Sequence, residues 1–581
     1  MKKRTRAICY GFVVSIVFLF CALYVSAATQ NAVSTLIQRL APNPLGLINP
    51  SITPMRTAPT STMLPFVPPT NIFMPASGLT NFRLLPQAQV QQVSDPLTDL
   101  VSLLFPFTQS TSLLNDLLGI ADPLEVVRTA NQLTTIAIPG ATPYFYYEDP
   151  ITCAGGAGLG MCHGNKFAQW ETDQHARAWT GDFMVAQYYD LARPDGDLDP
   201  VVADIKKGCV GCHSPSAFMA MGDELLFTAP PRPLGIENAW NILPGNKIEA
   251  DRGVFCDFCH TIAAVGDPPV NFNYSSSVTA AIDPKRGPLL PFNIPGPSPH
   301  DVIISPLHDD PRICGTCHDE IDPFGQMVKG TYTEWLISPY FPNVRCQDCH
   351  QTLEGLAGIA GAGPQLYSMN FKGGFSPWVE GVASVGVIAP LNASPGQLIN
   401  FAVLVNNELV GHYFPSGSEE ERQLWLHVTA TDALGNTWHI PITTTPDTID
   451  PGNPNHIFWV TTNAPVAWPS PNPAIGIPIP RDGLPEGDRI YHSIFISPPY
   501  TGSKITYAQY YAAEIYSNRL RPLEPREEQY LWAIPPNVVG PVTITADLNY
   551  RRMPDSMADF LGIMRRPIIL VNRAQAIINL I

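Results

Sequence analysis

The stretch Cys314-Gly-Thr-Cys317-His318 recurs in outline three more times, as Cys209-Val-Gly-Cys212-His213, Cys256-Asp-Phe-Cys259-His260 and Cys346-Gln-Asp-Cys349-His350. In each copy two thiols three residues apart can add across the vinyl groups of one porphyrin, and the adjacent imidazole then falls under the iron. Zinc ribbons also pair Cys-x-x-Cys knuckles, but at a spacing of about 15 to 20 residues. Here 43 residues separate Cys212 from Cys256, and 28 separate Cys317 from Cys346. Exported cysteines also form disulfides. Neither use requires a histidine directly after each second cysteine, so the four copies are read as covalent haem c sites.

A fifth copy is stretched. In Cys153-Ala-Gly-Gly-Ala-Gly-Leu-Gly-Met-Cys162-His163 eight residues lie between the thiols, and four of them are glycine. A loop folding back to bring both thiols to one porphyrin edge needs positive φ, which glycine adopts freely. Three outcomes stay open: attachment through both cysteines, attachment through Cys162 alone, or a Cys153–Cys162 disulfide. The expected load is about five haem c groups per chain and at least four.

Residues 1–28 read as an export signal. Lys2, Lys3, Arg4 and Arg6 precede an apolar run from Ala7 to Val25, and Val25-Ser26-Ala27 offers small residues for cleavage. The run is also near the length of a membrane span, so an uncleaved anchor is the alternative. The expectation is an exported protein, extracellular, at the cell surface or in a periplasm-like space. Charged residues make up only 14% of the chain, against about a quarter in ordinary domains. The net charge of −16 argues against nucleic acid as a partner. Asn273-Tyr-Ser275 and Asn392-Ala-Ser394 match the glycosylation acceptor pattern only at the level chance gives.

The patterning divides the rest into four parts. Residues 29–140 form a Pro-rich segment with short helices expected at Pro96–Leu104 and Ser112–Asn131. Residues 141–380 hold all five motifs and little periodic signal, a mostly irregular and α-helical multihaem domain. Fewer than fifty residues per haem cannot build an ordinary side-chain core, so the porphyrins must supply the buried apolar mass and lie close together. Residues 381–553 alternate apolar and polar positions at Leu398–Val405, Leu424–Thr429, Thr437–Thr443, His456–Thr461, Tyr491–Ser497, Gln529–Ile534 and Val542–Tyr550. About seven such runs suggest an all-β, Ig-like sandwich. A helical insertion is expected at Thr506–Ser517, and a helical tail over 554–581.

An iron with histidine on both sides is saturated and carries electrons, whereas an enzyme needs an open position. Thirteen histidines less the five that follow cysteine leave eight. His175, His300 and His308 lie inside the haem region and are expected as second ligands, joining His163, His213, His260, His318 and His350. His412, in the loop Gly411-His412-Tyr413-Phe414-Pro415-Ser416-Gly417, is a fourth such candidate. His427 and His439 read as ordinary core or surface strand residues, and His456 and His492 stay open.

The run Cys314-Gly-Thr-Cys317-His318-Asp319-Glu320-x-x-Pro323-Phe324-Gly325, with Tyr332-x-Glu334-Trp335-x-x-Ser338-Pro339-Tyr340, resembles the multihaem cytochromes related to cytochrome c554. So does Cys162-His163-Gly164 followed by Trp170-x-x-x-x-His175-Ala176. The resemblance extends over about residues 144 to 553 and implies His175 and His308 as distal ligands. The Gly-His-x-Phe-Pro-Ser-Gly loop with Arg422-Gln-Leu-Trp425 is similar to the β-domain that follows the haems in such proteins, which implies the same role for His412. The stretched first motif and the Pro-rich segment depart from that pattern. The expected function is electron transfer with redox proteins or extracellular acceptors as partners. In being exported, multihaem and poor in charge, the chain also resembles subunits of extracellular cytochrome filaments, which implies copies of itself as partners. A multihaem oxidoreductase of the hydroxylamine-oxidising or nitrite-reducing kind, with one five-coordinate haem, is the alternative. No catalytic residue is expected on the first reading.

Overall fold

The computed structural model describes residues 147–154, 163–233, 249–276, 285–287, 302–356, 365–375, 377–443, 459–463, 465–466, 479–480 and 482–581. The signal-like segment, the Pro-rich stretch and its two expected helices lie outside these residues, as do Cys162, His300 and His456. The described residues belong to one unit, Phe107–Ile581. Among them no helix is long and apolar enough to cross a membrane.

Short helices mark this region, α1 Gly164–Glu171, α2 Ile205–His213, α3 Cys256–Thr261, α4 Arg312–His318, α5 Thr331–Leu336 and α6 Cys346–His350, and α2, α3, α4 and α6 carry the regular cysteine motifs. Side chains three and four apart share one helical face, so a single turn presents two thiols and an imidazole together. Glycine inside a motif helps its neighbours approach. A Cβ at Gly211 would lie 2.5 Å from the Phe272 ring, which packs directly on α2. Apolar packing in this region is split into small clusters. One gathers Trp170, Phe255, Phe258 and Ile262, another Trp179, Met184, Tyr188 and Val210. Among the described residues neither is a continuous core.

The region that follows is β-rich with several sheets. Its principal strands are β1 Ala383–Ile388, β2 Leu398–Asn407, β3 Gln423–Thr431, β4 Thr437–His439, β5 Arg489–Tyr491, β6 Arg526–Ala533, β7 Val542–Arg551 and β8 Ile568–Leu580. One sheet runs β6-β2-β1. The other runs Asn392–Ala393, β8, β7, β3, β4, with β5 also on β3. Both feed one core, in which Phe401, Val403 and Val405 of β2 join Leu424, Leu426 and Val428 of β3 and Ile544, Ala546 and Leu548 of β7. The inward residues follow the two-residue alternation of a pleated strand.

Two expectations are corrected here. The tail is not helical beyond Asp555–Leu561. Its last part is β8, which pairs antiparallel with β7 from Val542↔Ile578 to Arg551↔Ile568 and parallel with Asn392–Ala393. The apolar residues of 568–580 fit either period, but isoleucine and valine dominate, and β-branched side chains favour a strand when a sheet edge can take up the backbone. The expected helix at Thr506–Ser517 is instead a strand pair partner, Glu514–Ser517 against Ser493–Ile496, preceded by a 3-10 turn at Gln509–Tyr511. Tyr510 and Tyr511 are buried there, and their hydroxyls donate to Asp195 and Asp199 at 2.9 and 3.1 Å. Their spacing serves this contact with the haem region.

Candidate haem-binding sites

In α2, α4 and α6 the helix ends at the motif histidine, and in α3 one residue later. Three of these imidazoles are held through Nδ1 by backbone carbonyls: His213 by Ala178 at 2.8 Å, His260 by Arg286 at 2.5 Å and His350 by Lys372 at 2.5 Å. Such a bond fixes the ring and leaves Nε2 for a metal. Burial pushes His213 and His350 down to about 4 and His318 to about 3. Each is therefore neutral at physiological pH, the form that ligates iron.

Three of the surplus histidines stand opposite motif histidines. The ring centres are 5.6 Å apart for His260 and His308, 6.3 Å for His350 and His412, and 6.3 Å for His175 and His318. An imidazole nitrogen binds a metal at about 2 Å. With the ring centre about 1 Å further on, two imidazoles flanking one ion have centres about 6 Å apart. All three pairs meet that spacing. Their planes differ by 7°, 13° and 87° respectively. The His308 Nδ1 is buried without a hydrogen-bond partner, while its Nε2 meets the Cys259 carbonyl at 2.8 Å. That orphaned nitrogen is a donor atom awaiting an acceptor other than protein. Ring flips exchange the two edges, so either nitrogen can face the metal.

Each distal candidate has its own support. The His175 Nδ1 is 2.8 Å from the carboxylate of Asp173, which is fully buried. Gly253 packs behind it with φ +64°, where a Cβ would lie 2.4 Å from the His175 carbonyl, so only glycine fits. His412 is positioned by an anchor across the two regions. Glu334 of α5 accepts hydrogen bonds from the Tyr413 amide at 3.2 Å and the Ser416 hydroxyl at 2.7 Å, and pairs with Arg519 at 2.6 Å.

The stretched motif retains one feature of a regular helical turn. The His163 amide donates to the Cys153 carbonyl at 2.9 Å. In an uninterrupted Cys-x-x-Cys-His helix that bond links the same two positions, i+4 to i. His163 thus keeps its ordinary backbone relation to Cys153 despite the longer spacing. Cys162 itself lies outside the described residues. Among the described residues no cysteine is in a disulfide.

The sites adjoin one another. The Cys153 thiol lies against Cys256, Cys212 against Cys317, and Cys314 against Cys346. Cys259 lies near Cys317 and Cys314. The first site thus neighbours the third, while the second, third and fifth all neighbour the fourth. Reading the sequence for cysteine and histidine alone missed Asp173, Glu334 and Arg519, which hold the distal ligands. Asp173 had a signal, a charged residue two positions before a ligand in a chain with few charges, whereas Glu334 and Arg519 lie far in sequence from the His412 loop. It also missed Lys329, half-buried beside Cys209 and Cys212 and ion-paired with Glu320.

The sequence pattern of the family described as cytochrome c554 and c-prime matches residues 160–229. That stretch holds Cys162, His163, His175 and the whole second motif. Among curated proteins none matches the chain. A solved structure, the penta-heme cytochrome c552 from Thermochromatium tepidum, is similar at 16% identity with a TM-score of 0.46, over 75% of this chain and 100% of that one. The motifs together with the family match support a multihaem c-type cytochrome.

Proposed function

We propose that this chain is an electron-transfer protein in which most haem irons are held between two histidines. The observation that carries the reading is the set of three facing imidazole pairs, His260 with His308, His350 with His412 and His175 with His318. Haem c, when bound, would supply one-electron redox chemistry. The chain's own residues would hold it, the paired cysteines as tethers and His260 with His308, His350 with His412 and His175 with His318 as imidazole ligands, while burial would exclude water. The adjacency of the five motifs supports rapid exchange among neighbouring sites. The retained Cys153–His163 hydrogen bond supports a fifth site. Export, redox partners outside the cell and assembly into a filament, with the Pro-rich segment 29–140 lying across a neighbouring copy, belong to this reading as expectations, on residues outside those described. The Ig-like character of the β region belongs to it likewise.

The spin state tests the assignment. Electron paramagnetic resonance of the oxidised protein is expected to show low-spin iron, with one strongly anisotropic signal from the crossed pair and rhombic signals from the two near-parallel pairs. His308→Met is expected to remove one rhombic signal and raise one haem potential. Mainly high-spin iron in the as-isolated protein would overturn the proposal.

One observation favours the enzymatic alternative at a single site. Among the described residues no histidine ring stands opposite His213, while Lys329 and Glu320 lie close to it. A high-spin component that accounts for one iron, together with turnover of nitrite or hydroxylamine, would assign that site to catalysis.

A further inference from the structure

We propose that His427, His439 and Asp488 form a binding site for a divalent transition-metal ion of the zinc type, separate from the haem sites. Strands β4 and β5 lie end to end along the same edge of β3. Thr429 pairs with His439 on β4, and Leu426 pairs with Arg489 on β5. His427 falls at the seam between these two short strands, and Asp488 stands at the next position before β5. The sheet register therefore brings together three residues that are up to 61 positions apart in the chain. No short sequence motif announces them.

The donor set is compact. The His427 Nδ1 lies 2.8 Å from one Asp488 carboxylate oxygen, and the His439 Nε2 lies 2.7 Å from the other. The two rings are stacked, with centres 5.0 Å apart and planes 18° apart. One ligand atom from each residue lies within 4.8 Å of the others. Ligands bound at about 2.0 to 2.2 Å from one ion meet that limit, so a slight parting of the two imidazoles from the carboxylate makes room for it.

Burial and charge point the same way. The Asp488 side chain is only 1% exposed, and the imidazoles are 29% and 31% exposed. The carboxylate thus forms the floor of the site, and the imidazoles form its rim, open to solvent. Among the described residues the two imidazoles are the side chains that meet the Asp488 carboxylate, and a carboxylate buried away from water is costly unless a cation pairs with it. A divalent cation offsets that charge and leaves positions for water. Two nitrogens and one oxygen suit a borderline ion of the zinc type better than calcium or magnesium, which take oxygen ligands. Asp547, opposite His427 on β7, is engaged by Arg573 and does not join the set. The ion would close the seam and pin β4 and β5 to β3.

The full-length haem-loaded protein, stripped with chelator, is titrated with Zn2+ by calorimetry, and bound zinc is counted by elemental analysis after dialysis. The wild type is expected to take up one Zn2+ per chain. His439→Ala and Asp488→Asn are expected to weaken that uptake by more than the roughly hundredfold that loss of an outer-shell partner can cost. His439 is partly exposed on a three-residue edge strand, so its variant keeps the fold, which an unchanged haem spectrum and melting temperature verify. Should Asp488→Asn fail to fold, His427→Gln takes its place. No stoichiometric uptake by the wild type, or uptake that the histidine variants retain, would overturn the proposal.

Discussion

Joint replacement of Cys314 and Cys317 by serine is expected to abolish stable protein instead of yielding a folded chain with one haem fewer. Cys314 lies against Cys346 of the fifth motif and Cys317 against Cys212 of the second, and Cys259 of the third is near both. The fourth site is thus the centre of the cluster, in a region with only small apolar clusters of its own. A porphyrin that buries roughly 400 Å2 of apolar surface contributes on the order of 10 kcal/mol at about 25 cal/mol per Å2. Net stabilities of whole domains are about 5 to 15 kcal/mol. Loss of that mass at the centre therefore removes most of the margin. Cys153→Ser makes the useful contrast, because Cys153 touches only the third motif's Cys256 among these thiols. It is expected to leave folded protein with at least four haems. Soluble yield, size-exclusion profile and haem content per chain check both variants, and a stable four-haem Cys314→Ser/Cys317→Ser protein at wild-type yield would count against a central fourth site.

Glu334→Ala is expected to cost about 3 to 5 kcal/mol, the usual consequence of breaking one side of a buried ion pair. Glu334 is 5% exposed and Arg519 is 7% exposed. Without Glu334 the guanidinium keeps Glu419 and the Pro415 carbonyl. Burial, with repulsion from Glu334, holds the Glu419 carboxyl up to about 7, and loss of Glu334 relieves that repulsion, so Glu419 recovers part of the pairing but not the second partner. The Tyr413 amide and Ser416 hydroxyl also lose their acceptor, and the loop carrying His412 loosens. The variant should therefore show two changes together: a lower unfolding midpoint and loss of the near-parallel signal assigned to the His350–His412 pair. Glu334→Gln keeps an acceptor for both loop donors and is expected to retain that signal at a smaller cost in stability. If Glu334→Ala lowered the midpoint with all signals intact, Glu334 would be a stabilising residue with no part in placing His412.

The four regular motifs were legible because their chemistry is local: two thiols and an imidazole within one helical turn need nothing from the rest of the chain. The pairing of surplus histidines was only half legible. Position inside the haem region marked His175 and His308, and an unusual loop marked His412, but which motif each one faces depends on how short helices pack. His308 comes to the third motif and His175 to the fourth, an order the chain does not announce. Glu334, some eighty residues before the loop it anchors, carried no signal of that role. In the β region, alternation found β2, β3, β6 and β7. It failed for β8, where dense β-branched residues obscure the period, and at Gln509–Tyr511, where aromatic spacing reflects a contact with Asp195 and Asp199. The histidines at 427 and 439 looked ordinary because their partner Asp488 meets them only through sheet register.

Counting covalently attached haem tests the central claim most directly. Intact-mass spectrometry of the mature protein, set beside a pyridine haemochrome assay on the same sample, gives the number per chain. Five are expected, with Cys153 and Cys162 both used by the stretched first motif. A count of four would withdraw the first site alone. A count below four would contradict the reading of the chain as a multihaem cytochrome built on these motifs.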